Sequence, residues 1–99
     1  MTLTEHQRRF LKGRAHPLKP VIQIGNAGLT EAVVLETRRA LHDHELIKVR
    51  CRAAERGARA ALIAELVQRT GSALVDRIGH VAVLYRPREP QPKLLIPDP

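Results

Sequence analysis

The stretch VIQIGNAGLTEAV, residues 21–33, decides the fold because it joins a strand to a helix through a loop with two glycines. Residues 21–24 form a short apolar run between Pro20 and the first glycine, which predicts a buried strand. Thr30 is a residue type that caps helices, so a helix is predicted to start directly after it. A tight turn needs one glycine, and a pair that brackets two other residues indicates a loop that another molecule approaches closely.

This loop, GNAG at residues 25–28, predicts an anion site. The first amide groups of the following helix lack internal partners and point outward at its positive end. Glycines remove side chains that would keep a phosphate away. A nucleoside-triphosphate loop needs GxxxxGK[ST] and a dinucleotide loop needs GxGxxG, and the stretch fits neither pattern. The GxxG spacing matches the loop with which KH-type modules clamp an RNA backbone, and a plain strand-to-helix turn is the alternative.

The composition predicts one folded domain with a basic surface. The chain has 99 residues, of which 43% are apolar, and a formal net charge of +7. Such a surface attracts polyanions, and nucleic acid is the commonest soluble one. Phe10 and Tyr85 are the only aromatic residues, which is too few for a platform that stacks bases. Binding is therefore expected to use the sugar-phosphate backbone.

Positive charge is concentrated before the loop and on one predicted strand. A capping box at Thr4 predicts a first helix, whose basic side chains are expected to run toward the loop. Residues 46–52, LIKVRCR, alternate between apolar and cationic side chains, which predicts a strand with one cationic face. This face either contacts RNA or is simply solvated, and the residues leave both open. The candidate RNA-binding residues are Gly25, Asn26, Ala27 and Gly28 of the loop, with Arg8, Arg9, Lys12, Arg14, Lys19, Lys48, Arg50 and Arg52.

Residues 54–70 predict a third helix. A closing hairpin with its turn at Gly79 and His80 follows, so the predicted order is α-β-α-β-α-β-β. Strands separated by helices favour parallel crossovers, so a mixed sheet of about four strands backed by helices is expected. Residues 87–99 hold five of the seven prolines. They predict a flexible, solvated tail, and docking of LLI (residues 94–96) on the domain or on a partner is the alternative.

No catalytic or metal-binding pattern stands out. His42 and His44, with Asp43 and Glu45 beside them, lie at a predicted helix end where their side chains diverge, so no metal site is expected. Cys51 is in phase with the apolar residues of its strand and is expected to be buried. The sequence predicts neither an enzyme nor a bound cofactor.

Three stretches in order, AHPLKPVIQIGNAGLT (15–30), HELIKVR (44–50) and IGHVAVLYR (78–86), resemble one family. They are similar to the CRM domain in its stand-alone bacterial YhbY form, over about residues 3–87. The resemblance implies a compact two-layer α/β fold, with a four-stranded mixed sheet and three helices, similar to the C-terminal domain of translation initiation factor three. It also implies RNA binding through the loop and nearby basic residues, and association with precursors of the large ribosomal subunit.

Many members of this family carry a lysine inside the loop, but Asn26 and Ala27 are uncharged, so cations must come from elsewhere. The expected domain spans residues 1–87, followed by the flexible tail of residues 88–99. The expected partner is large-subunit rRNA in pre-ribosomal particles, bound by a cytoplasmic monomer that has no membrane or small-molecule partner. The alternatives are a protein-interaction adaptor that docks on a ribosomal protein, and an RNA chaperone or intron-binding factor that acts away from the ribosome.

Overall fold

Helices and strands follow one another in the order that the sequence predicts. The computed structural model describes residues 1–53 and 55–99. Its elements are α1 (Glu5–Ala15), β1 (Pro20–Ile24), α2 (Glu31–His44), β2 (Leu46–Cys51), α3 (Arg56–Thr70), β3 (Ala73–Ile78) and β4 (Val81–Tyr85). The predicted start of the third helix at Ala54 lies outside the described residues.

The helix ends form as the residue types at those positions dictate. Thr4 and Gln7 make a reciprocal capping box at the start of α1. The Thr30 hydroxyl accepts a hydrogen bond from the amide of Val33 at the start of α2, and Gly71 ends α3 in the left-handed conformation. Helix α2 ends at His44, because Glu45 supplies the stop with a φ of 65°.

The strands form one mixed sheet in the order β1-β2-β4-β3. β1 pairs with β2 in parallel, and β4 pairs antiparallel with both β2 and β3. The crossovers through α2 and α3 therefore join parallel strands, as predicted. Ile78 pairs with Val81 across the Gly79–His80 turn, which confirms the two-residue hairpin.

Both faces of the sheet are covered by helices. On one face Ile24, Ile47 and the buried Cys51 pack with residues of α2 and α3. On the other face Leu46 and Tyr85 pack with residues of α1. The predicted α/β class, with three helices and a four-stranded mixed sheet, is confirmed. The molecule has three layers rather than the expected two, because the second face is also apolar at one end and α1 removes it from water.

The C-terminal segment lies against the domain, which differs from the predicted solvated tail. Leu94 and Ile96 pack beside the α1 core, and the Gln7 side-chain amide donates to the carbonyl of Pro97 (3.0 Å). The carboxylate of Glu45 accepts hydrogen bonds from the backbone amides of residues 88, 93 and 94, at 2.7–3.0 Å. Prolines prevent this segment from joining the sheet, but they do not prevent hydrogen bonding by the amides between them.

Candidate nucleic-acid interface

The GNAG loop forms a tight turn at the carboxyl end of β1. The amide of Gly28 donates to the carbonyl of Gly25 (3.0 Å). Gly28 has a φ of 75°, a conformation that other residues adopt at a cost. Gly25 does not have a positive φ, and a Cβ placed on it would meet nothing within 4 Å. Neither backbone conformation nor internal packing therefore requires a glycine at position 25.

The loop offers backbone donors to a ligand. Among residues 1–53 and 55–99, no acceptor takes a hydrogen bond from the amides of Asn26, Ala27 or Leu29. The side chain of Asn26 is exposed as well. By contrast, the amide of Val33 at the helix start is already capped. The amides of Glu31 and Ala32 in the first turn of α2 likewise donate to no acceptor among the described residues. The available amides therefore run from the loop into the helix start, where the sequence argument places them.

Two arginines of the predicted cationic strand lie next to this loop. The amide of Arg52 donates to the carbonyl of Ile24 (2.9 Å), and its Nε donates to the side-chain oxygen of Gln23 (3.1 Å). Arg50 pairs in register with Gln23 on one side and with Val81 on the other. We call this region, residues 23–28, 50–52 and 78–81, the loop end of the sheet.

Gln23 is a functional candidate that the sequence argument missed. Its side chain orients Arg52 beside the loop. The signal was present in the alternation of VIQI, because the single polar residue of that strand has to point away from the core that holds Ile22 and Ile24.

Helix α1 covers only part of its face of the sheet, and the loop end remains open. Leu46, Val83 and Tyr85 are buried beneath α1. Arg50 and Ile78 are exposed, with 68% of Ile78 accessible to solvent. The cationic face of β2 is therefore divided between a buried apolar part and an open arginine-bearing part.

Lys48 stands at the border between these two parts. It is half-buried, and its ammonium group donates to the carbonyl of His16 at the end of α1 (3.4 Å). A cation at a helix C-terminus interacts favourably with the exposed carbonyls. Lys48 is thus partly engaged within the molecule, whereas the side chain of Arg50 forms no hydrogen bond or ion pair with any described residue.

The basic residues of α1 do not form one surface. Side chains advance by about 100° per residue around a helix, so Lys12 and Arg14 point to nearly opposite sides. Lys12 forms an ion pair with Asp76 of β3 (3.9 Å). Arg14 lies with its guanidinium 5.7 Å from the centre of the Phe10 ring. Arg9 is exposed.

Arg8 holds α1 to the sheet. Its Nη1 donates to the carbonyls of Leu74 (2.5 Å) and Val75 (3.0 Å). These carbonyls belong to β3, an edge strand, at a point where its pairing with β4 shifts register. The side chain is half-buried, so its main contacts are structural.

Lys19 lies far from the loop. It immediately precedes β1, whereas the loop follows β1, and five residues of strand span about 16 Å. The end of α1 is on the Lys19 side as well. The expectation that the first helix runs into the loop region is therefore wrong, and the cations nearest the loop come from β2.

The described residues contain no group of three or more His, Cys, Asp or Glu side chains that could hold a metal ion. His42 and His44 are exposed at the end of α2. In the same described part of the chain, no helix is long and apolar enough to cross a membrane.

Comparison with known proteins gives consistent results along the whole chain. Residues 3–86 match the model of the CRS1/YhbY (CRM) domain. An RNA-binding protein of Haemophilus influenzae is 47% identical over 96 residues, which cover 97% of this chain and 96% of the relative. A probable RNA-binding protein of Pseudomonas aeruginosa is 48% identical over 92 residues, which cover 93% and 88%.

A solved structure supports the same assignment. The solution structure of a hypothetical Staphylococcus aureus protein, named as a candidate RNA-binding protein, superposes with a TM-score of 0.83 at 32% identity. The superposition covers 97% of this chain and all of the other. The family model, the sequence similarity and the superposition agree, and the chain belongs to the CRS1/YhbY family of CRM-domain proteins.

Proposed function

We propose that this protein binds RNA at the loop end of the sheet. The observation that carries the proposal is Gly25, a glycine that neither the fold nor its packing requires. It lies beside three amides with no acceptor among the described residues, and beside Arg50 and Arg52. A bare backbone with free donors and adjacent guanidinium groups suits a phosphate. The names of the relatives support RNA as the source of that phosphate.

The contact would be made mainly to the sugar-phosphate backbone. Phosphate oxygens would accept hydrogen bonds from the amides of Asn26, Ala27 and Leu29, and Arg50 and Arg52 would neutralise neighbouring phosphates. Tyr85 is buried, and Phe10 of α1 is half-buried against the core that contains Tyr85, so neither ring offers a stacking surface. Recognition would then follow the shape of the RNA more than its base edges.

The RNA that we propose is large-subunit rRNA in precursor particles. The family resemblance supports this choice, in which a monomeric, non-enzymatic protein assists assembly in the cytoplasm. An RNA chaperone or an intron-binding factor would use the same contacts on other transcripts, and the experiment below separates these roles.

The test compares Gly25→Asp with Gly13→Asp. Both replacements change the net charge equally and both added side chains enter open space, but residue 13 lies on α1, away from the loop. We expect Gly25→Asp to weaken binding to a large-subunit rRNA fragment at least tenfold, because a carboxylate would occupy the phosphate position. Gly13→Asp should change the affinity less than threefold, and both chains should keep the wild-type circular dichroism.

The wild type and the same two variants then distinguish a role in ribosome assembly from a role on other transcripts. On low-salt gradients the wild type and Gly13→Asp should co-migrate with immature large subunits, and Gly25→Asp should move to the top. Equal rRNA affinity of the two folded variants would remove the loop from the mechanism. Wild-type protein that binds RNA in vitro but stays at the top of the gradient would contradict the ribosomal role and favour other transcripts.

A further inference from the structure

A second surface lies at the other end of β1 from the loop. A groove of about 740 Å³ is bounded by the end of α1, the start of β1, the junction of α2 with β2, and residues 93–95. Its volume is in the range of sites that hold a ligand or a short peptide segment. We call it the tail groove, because the C-terminal segment forms one of its walls.

The tail groove exposes aliphatic side chains close together. Leu18, Val21 and Leu95 line it, and 38%, 50% and 77% of these residues are accessible to solvent. Single exposed apolar residues are ordinary on protein surfaces, but several in one concave site mark a contact surface. β1 is also an edge strand, so the backbone groups on its outer side are not paired with another strand of the described residues.

Most of the unpaired charges of the tail groove are positive. Arg14, Lys19 and Lys93 line it, and no carboxylate of the described residues forms an ion pair with them. The Glu45 carboxylate also lines the groove, but three backbone amides already bind it. The exposed Asp43 is the other acidic residue in the lining. An occupant that matches this surface carries carboxylates between apolar side chains.

We propose that the tail groove docks an acidic segment of another protein, with alternating carboxylate and aliphatic side chains. Aliphatic walls favour a protein over RNA, because nucleotides would leave the three exposed side chains without apolar partners. The groove and the loop lie at opposite ends of a strand about 16 Å long, so both can be occupied together. Docking stands independently of RNA binding, whereas a bridge between RNA and a protein partner rests on the proposed function.

The experiment titrates the full-length ¹⁵N-labelled protein with a blocked octapeptide of alternating aspartate and leucine. We expect saturable shifts of the amides at residues 18–21 and 93–95, and none at residues 25–28. Replacing the aspartates of the peptide by lysine, or its leucines by serine, should weaken binding at least tenfold. Absence of saturable shifts at millimolar peptide, or equal binding of the lysine peptide, overturns the proposal.

Matched variants locate the contact. Leu95→Glu should weaken the peptide at least tenfold, whereas Leu35→Glu, at an α2 residue that is 55% exposed and outside the tail groove, should leave its affinity unchanged. Equal effects of the two changes contradict the assigned site. The Gly25→Asp chain should bind the peptide like the wild type, which separates this proposal from the RNA one. Shifts at residues 18–21 caused by a twenty-nucleotide uridine RNA but not by the peptide would identify an RNA surface instead.

Discussion

At the scale of single residues, the two loop glycines have different reasons to be there. Gly28 is required by its φ of 75°, whereas Gly25 has an ordinary conformation and open space around it. The sequence shows two glycines but not this difference, because φ depends on how the turn closes. Gly28→Asp would therefore mix backbone strain with a charge effect, and position 25 gives the cleaner test.

The cationic side chains also differ in their expected role in RNA binding, and charge reversals at Arg50 and Arg9 test this difference. Arg50→Glu should weaken rRNA binding at least tenfold, because the side chain lies beside the loop and has no partner among the described residues. Arg9→Glu carries the same change in net charge on the solvent side of α1 and should weaken it less than threefold. Filter binding over a salt series measures both, and Arg50→Ala should reduce the slope of log affinity against log salt by about 0.7. Equal losses for the two reversals would mean that only net charge matters.

At the scale of elements, α1 is placed by contacts that its own sequence does not reveal. Its apolar stripe predicts a buried face, and Leu11 and Ala15 are buried. The acceptors of Arg8, however, are carbonyls of Leu74 and Val75, 66 and 67 residues away. The periodicity of apolar residues predicts helices and strands well, because both depend on neighbouring residues. It does not predict the role of a charged side chain, because the partners of that side chain come from elsewhere in the chain.

Loss of the hydrogen bonds from Arg8 to β3 should lower the stability of the fold. Arg8→Ala leaves two β3 carbonyls without their charged donor and should lower the free energy of unfolding by about 2 kcal/mol. Arg9→Ala, an exposed neighbour on the same helix, should change it by less than about 0.5 kcal/mol. Urea unfolding followed by circular dichroism measures both. A loss for Arg9→Ala as large as that for Arg8→Ala would contradict the structural role of Arg8.

At the scale of the whole molecule, Glu45 joins the C-terminal segment to the domain. It ends α2, accepts the amide of Arg86 through its carbonyl (2.9 Å), and binds three further amides through its carboxylate. A segment with five prolines indicates solvation when it is considered alone. The sequence leaves docking only as the alternative, because the acceptor is a glutamate more than 40 residues earlier in the chain.

This arrangement predicts a stability that falls in acid. Burial of Glu45 raises its pKa, but the amides of Arg88, Leu94 and Lys93 and the nearby Arg88 charge outweigh burial, so the net pKa is lowered. An acid with a lowered folded-state pKa stabilises the fold fully above its unfolded pKa of about 4.3, and loses that contribution as the pH falls through the folded value.

The matched variants for this prediction are Glu45→Gln and Glu36→Gln, both on or next to α2. Glu45→Gln should lower the free energy of unfolding at pH 7 by about 2–3 kcal/mol, since charge-assisted hydrogen bonds are lost, and should flatten its dependence on acid pH. Glu36 is exposed, and its replacement should change stability by less than about 0.5 kcal/mol. An unchanged acid slope in Glu45→Gln would mean that other carboxylates produce it.

The burial of Cys51 opens a route to site-selective chemistry on this protein. It is the single cysteine of the chain, and 1% of it is accessible in the core beneath α2 and α3. A thiol introduced by Asn26→Cys would therefore react alone with maleimide reagents on the folded protein. A photoactivatable group attached at that position would crosslink, on irradiation, to the nucleotides of an RNA that lies against the turn.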